Sequence, residues 1–203
     1  MKILVAGDLH GDIVAAKNLS EKAESEKVDM VLLSGDLTMF GKNHEGLLSY
    51  FAKKGITTGL IHGNHEDLSI VDFLSEKYGM KNLHGTGILD DAVGIFGCGG
   101  ANIGLNQLTE KEIYDTLLDA FYSIYTIGAM NKKIMITHVH PSGTSIESMS
   151  KFVRGSTGLR RAVERLKPDF LFCSHVHEAQ GLEEMIGSTK VFCVGKTGKI
   201  FDL

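Results

Sequence analysis

Five of the nine histidines in this 203-residue chain stand in short segments with carboxylates, amides or hydroxyls: Asp8-Leu9-His10, Gly63-Asn64-His65-Glu66, Thr137-His138 and Ser174-His175-Val176-His177. Gly35-Asp36 adds a further carboxylate of the same kind. Imidazole nitrogens and carboxylate oxygens are the donors that divalent transition metals take. In an extended HxH segment alternate residues point the same way, so His175 and His177 can reach one ion. Taken singly, the other clusters read equally well as turns, because Asp, Asn and Gly are ordinary turn residues. Their joint occurrence is the signal: five separate segments each deliver a metal donor.

The elements that must position these residues are short apolar runs alternating with segments of helical period. Lys2 to Gly7, Val28 to Ser34, Ile56 to His62, Val93 to Gly97, Lys133 to Thr137 and Asp169 to Ser174 read as buried strands. Ile13 to Glu26, Glu45 to Lys54, Ser69 to Tyr78, Glu110 to Ala129 and Thr157 to Leu166 read as helices. Thr109 with Glu112 forms a capping box, and Ser156 is an N-cap for the last helix. The alternation predicts βαβ units and a mostly parallel sheet. Lys190 to Val194 and Lys199 to Asp202, separated by glycine-containing turns, predict antiparallel strands joining a second sheet. Each donor cluster follows a strand, at the carboxyl end where open α/β sheets bind their ligands.

In order and in residue type, Asp8-Leu9-His10, Gly35-Asp36, Gly63-Asn64-His65-Glu66, His138 and His175-Val176-His177 resemble the signature of the calcineurin-like metallophosphoesterases. Gly155-Ser156 opening a helix and Lys167-Pro168-Asp169 leading into a strand extend the resemblance over nearly the whole chain. The resemblance implies two facing mixed β-sheets flanked by helices, a four-layer α/β/β/α sandwich with a dinuclear metal site at the carboxyl ends of the strands. It implies that Asp8, His10, Asp36 and His177 hold one ion, that Asp36, Asn64, His138 and His175 hold the other, and that Asp36 bridges. It further implies hydrolysis of a small phosphoester by a metal-bridging hydroxide, with His65 as the catalytic histidine at the leaving oxygen. A diester is the preferred substrate, a monoester the alternative, and a non-catalytic scaffold of the same fold the rival from another class. A donor set of imidazole and oxygen without thiolate suits two divalent transition-metal ions, manganese first, then Fe, Ni, Co or Zn.

Three positions depart from the family's commonest pattern: Ser174, where glycine is usual, Val139-His140-Pro141, and Val194-Gly195-Lys196. His140 could face substrate but is expected to be exposed, and His44 and His84 to lie on the surface. His62 is left open between lining the crevice and packing beside it. The glycine-rich loop from Gly97 to Asn102 offers Gly99 and Asn102 as substrate contacts, and Arg154 is a third. Gly195-Lys196-Thr197-Gly198-Lys199 lacks the spacer of a phosphate loop and is refused as one.

Composition bounds the rest. One domain over residues 1–203 is the default, and 43% hydrophobic with 23% charged residues excludes a disordered or collagen-like chain. The apolar run Ile3 to Ala6 is too short for a signal peptide or a membrane span, so a cytoplasmic protein is expected. A net charge of −4 with scattered basic residues makes long nucleic acid an unsuitable partner. Cys98, Cys173 and Cys193 lack CxxC spacing, which argues against disulfides and thiolate metal sites; Cys173 and Cys193 read as buried apolar residues.

Overall fold

Alternate residues of the first strand explain why the fold has layers. In β1 (Lys2–Ala6), Ile3 and Val5 point one way and Leu4 and Ala6 the other, and all four are buried. A strand with two apolar faces must be covered on both. The computed structural model describes residues 1–42, 44–104 and 107–203. After β1 come α1 (Ile13–Ser25), β2 (Met30–Ser34), α2 (Ser49–Lys53), β3 (Thr58–Ile61), α3 (Leu68–Tyr78), β4 (Lys81–Asn82), β5 (Gly87–Asp90) and β6 (Val93–Cys98). Then follow α4 (Glu110–Tyr125), β7 (Lys132–Thr137), α5 (Ser145–Met149), α6 (Thr157–Leu166) and β8 (Phe170–Cys173). A 3-10 turn (His177–Ala179), β9 (Glu183–Ile186), β10 (Thr189–Cys193) and β11 (Lys199–Asp202) complete the order.

The strands form two mixed sheets, β11-β1-β2-β3-β4 and β5-β6-β7-β8-β10-β9. Strands β1 to β4 are parallel with β11 antiparallel beside β1; β6, β7, β8 and β10 are parallel with β5 and β9 antiparallel at the edges. Ile3, Val5, Leu32 and Ile61 meet Ile95, Ile134, Ile136 and Phe172 between the sheets. Leu4, Ala6, Val31, Leu33 and Leu60 pack outward against α1, α2 and α3. Phe96, Met135, Leu171 and Val191 do the same against α4 and α6. The four-layer sandwich expected from the resemblance is therefore present.

Helix starts follow the capping rules. Asp12 and Asp67 accept from Ala15 N and Ile70 N, Thr109 and Glu112 form the expected box, and Ser156 accepts from Leu159 N. Two helices are shorter than expected. Gly46, at φ 72°, keeps Glu45 to Leu48 in turns before α2, and α4 stops at Tyr125, short of the exposed Ile127 and of Gly128. Among the described residues no helix is long and apolar enough to cross a membrane.

Candidate metal centre

Where β1 and β2 end, their backbones stay paired. Asp8 N donates to Gly35 O at 3.0 Å, His10 N to Asp36 O at 2.8 Å and Gly11 N to Leu37 O at 2.8 Å. Asp8, His10 and Asp36 adopt left-handed φ angles of 55°, 48° and 50°, which turn their side chains across the strand ends. Gly63, after β3, has no side chain because a Cβ there would overlap the Asp36 carboxylate. The close approach lets His65 N donate to Asp36 Oδ1 at 3.0 Å. Glu66, 2% exposed, latches the two turns together. Its carboxylate accepts from Leu37 N at 3.0 Å, from Thr38 N and Thr38 Oγ1 at 3.1 Å each, and from Gly63 N at 3.0 Å. Burial, reinforced by the neighbouring Asp36 charge, pushes the Glu66 carboxyl pKa up despite those bonds.

The second sheet contributes from β7 and β8. Ser174 N donates to His138 O at 3.0 Å, holding the two strand ends together. His138 Nδ1 lies 2.9 Å from the Ser34 carbonyl oxygen, so that nitrogen is the N–H donor. Ser174 Oγ donates to the same carbonyl at 2.9 Å and lies 3.1 Å from His138 Nδ1. Ser174, where the resemblance leads one to expect glycine, thus helps to fix the His138 ring. With Nδ1 engaged, Nε2 of this fully buried ring faces Asn64 Oδ1 at 3.0 Å, His175 Nδ1 at 3.1 Å and Asp36 Oδ2 at 3.4 Å.

A second convergence lies beside the first. His10 Nε2 and His177 Nε2 stand 3.2 Å apart, with Asp8 Oδ1 3.9 Å from His177 Nε2 and Asp36 Oδ2 3.8 Å from His10 Nε2. Asp8, His10 and His177 form one trio whose ligand atoms lie within 4.8 Å of one another; Asp36, His138 and His175 form another, and His10, Asp36 and His65 a third. Two imidazole nitrogens 3.2 Å apart can share only one proton, and a cation satisfies both lone pairs. The donor set therefore fits divalent transition metals.

The electrostatics point the same way. Burial lowers the pKa of His10 to about 4 and that of His175 to about 3, so both rings stay neutral with lone pairs available. Burial also disfavours a charged His138, but Asp36 and Asp8 raise it to about 9. Burial would raise Asp36, yet His138 holds its carboxyl well below the usual range. The Asp36 and Asp8 carboxylates would favour a cation at His138 Nε2 in place of a proton.

The model of the calcineurin-like phosphoesterases matches residues 1–179. The chain belongs to the calcineurin-like phosphoesterase family. No curated protein matches it. Among solved structures the family fold recurs in TT1561 of Thermus thermophilus, with 16% identity, TM-score 0.74, and 97% of this chain and 90% of that one covered. A novel archaeal phosphodiesterase shares 14% identity at TM-score 0.55, over 96% and 84% of the two chains. GAP50, the anchor in the inner membrane complex of Plasmodium, shares 13% at TM-score 0.62, over 96% and 71%. At these identities the likeness is one of fold.

The structure brings Asp8, His10, Asp36, Asn64, His65, His138, His175 and His177 to one crevice. The three substrate contacts expected from sequence sit outside that cluster's bonds. Gly99 packs on His62 and its N donates to His84 Nδ1 at 3.1 Å. Asn102 Nδ2 donates to Glu110 Oε1 and Arg154 O, and Arg154 itself is exposed. A Cβ added at Gly104, two residues beyond Asn102, would lie 3.1 Å from Asn64 Cβ. His140, expected on the surface, is fully buried, and its carbonyl accepts from Ser156 N at 2.8 Å. His84 and His44 are half-buried, the first beside His62, whose ring is 4.6 Å away, the second with Nδ1 2.8 Å from Gly41 O. His62 is packed, at 4% exposure. Lys196 Nζ lies 3.5 Å from Asp12 Oδ2. The latch role of Glu66 has one sign in the sequence, a carboxylate directly after the Asn-His pair, and the stacking of Phe40 on His65 has none.

Proposed function

We propose that this domain, residues 1–203, is a cytoplasmic hydrolase of small phosphodiesters that uses two divalent transition-metal ions, manganese first. Asp8, His10, Asp36 and His177 would hold one ion and Asp36, Asn64, His138 and His175 the other. The observation that carries the reading is the placement of Asp36, whose Oδ2 lies 3.4 Å from His138 Nε2 and 3.8 Å from His10 Nε2. One carboxylate faces both nitrogen clusters, as a bridge requires. Two such cations, when bound, acidify water and neutralise phosphate oxygens.

The chain's own groups set the geometry for that chemistry. His138 is fixed by Ser34 and Ser174, and Asp36 by the His65 backbone. His65 Nε2 lies 3.8 Å from Asp36 Oδ2, so it is at the cluster and is placed to give a proton to the departing alcohol oxygen. Gly99, Asn102 and Arg154 remain the proposed outer contacts to substrate. The buried thiols of Cys98, Cys173 and Cys193 accord with a reducing compartment. The diester preference has support from the archaeal phosphodiesterase with this fold; a monoester is the alternative. GAP50 shows the same fold in an anchor, and the complete donor cluster is the argument against a purely scaffolding role here.

Metal analysis of purified protein, with parallel assays on a chromogenic phosphodiester and monoester with and without Mn²⁺, tests the reading. Bound metal and faster diester turnover are expected. Absence of both metal and turnover would reject it.

A further inference from the structure

Phe40 occupies a backbone conformation that bulky residues avoid. Met39 N donates to Lys42 O at 3.2 Å and Lys42 N to Met39 O at 3.0 Å, closing a two-residue turn with Phe40 at φ 53° and Gly41 at φ 73°. Such turns favour Asn-Gly or Gly-Gly, because both central residues are left-handed. An aromatic residue there is strained, and the strain persists only where neighbours over-determine the backbone. Here they do. Gly41 N donates to Thr38 Oγ1 at 3.1 Å, and Thr38 is bonded through N and Oγ1 to the buried Glu66.

The turn presents a ring that is 54% exposed. It stacks on His65, with centroids 4.5 Å apart and planes 24° from parallel. His65 also makes a T-shaped contact with His10, with centroids 4.7 Å apart. Phe40 therefore holds the plane of His65 and keeps apolar surface open beside it. Next in sequence, Gly41, Lys42, His44 and Glu45 line a groove of about 540 Å³ together with Gly11 and the half-exposed Ile13. That volume suits a small organic group.

We infer that Phe40 is a stacking platform for the group esterified to the phosphate, and that the site favours phosphoesters whose organic group is a flat aromatic ring. The inference rests on the proposed hydrolase reading. Because Phe40 and His65 share a stacked face, a leaving group whose oxygen reaches His65 from the solvent side meets the exposed rim of Phe40. Aromatic pairs prefer offset or edge-on contact, which a half-exposed ring offers and an aliphatic side chain does not.

The test compares inhibition of Mn²⁺-loaded enzyme by phenylphosphonate and cyclohexylphosphonate, alike in size but flat and puckered, against turnover of a p-nitrophenyl ester. In the natural chain phenylphosphonate should bind about fivefold more tightly. Phe40→Leu should abolish that preference, and Phe40→Tyr should retain it. Active enzyme whose preference is the same in the natural chain and in Phe40→Leu would overturn the inference alone. No turnover of any ester by the natural chain would overturn the hydrolase reading and this inference with it.

Discussion

The two rims of the sheets treat the same backbone conformation in opposite ways. At the downstream rim, where strands end, Asp8, His10, Asp36 and His175 are left-handed, with φ from 48° to 74°. At the upstream rim, where the chain turns into β2, β6 and β8, the left-handed residues are Lys27, Asp91, Ala92 and Lys167. The second set faces solvent wholly or in part; of the first, Asp8 and Asp36 are buried. A left-handed non-glycine residue costs roughly 1 kcal/mol or more in either place. Upstream, the side chain contributes nothing that a glycine would lack. Downstream, glycine would be easier for the backbone and useless for binding a cation. On the proposed reading, strain is retained there because the side chain would hold the cation.

The largest effect expected from testing this contrast is at the downstream rim. Asp36→Ala should lose both ions by elemental analysis, and turnover should fall by about three orders of magnitude. Retention of one full ion would remove Asp36 from its bridging role. His65→Ala should keep both ions while kcat drops by about a hundredfold; unchanged kcat would return His65 to the surface of the turn. Glu66→Gln replaces an acceptor of four hydrogen bonds by a side chain that also brings donors, so denaturant unfolding should show a loss of about 2–3 kcal/mol. A value near zero would mean that the turns after β2 and β3 hold each other without it. The smallest effect is at the upstream rim and of opposite sign. Lys167→Gly, at the C-cap of α6, should gain about 0.5–1 kcal/mol. A loss instead would show that the upstream side chains matter as well.

Legibility in the sequence followed burial and spacing. Strands β1, β2, β3, β6, β7 and β8 were readable as apolar runs; β1, β2 and β3 lead into a glycine and a donor residue, and β7 and β8 into a histidine. The edge strands Lys81–Asn82, Gly87–Asp90 and Glu183–Ile186 were not, since they are short and half-polar and are defined by the neighbour that pairs with them. The eight residues of the crevice could be named in advance because each stands at a strand end. The burial of His140 could not, because it goes with a backbone pairing to Ser156 that is made only across the intervening α5. Phe40 escaped for a different reason: a Phe-Gly pair carries no turn signal unless the bonds between Met39 and Lys42 are known.

The bond from His138 Nδ1 to the Ser34 carbonyl crosses from one sheet to the other. Every donor on Asp8, His10, Asp36 and Asn64 belongs to the first sheet's strand ends, and every donor on His138, His175 and His177 to the second. Cations held between them would act as rivets across a seam. The free energy of parting the layers would then rise with the concentration of free metal, by about 2.7 kcal/mol at roughly a hundred times the dissociation constant. In a cell, the supply of metal would set how long the chain survives proteases as well as how fast it works.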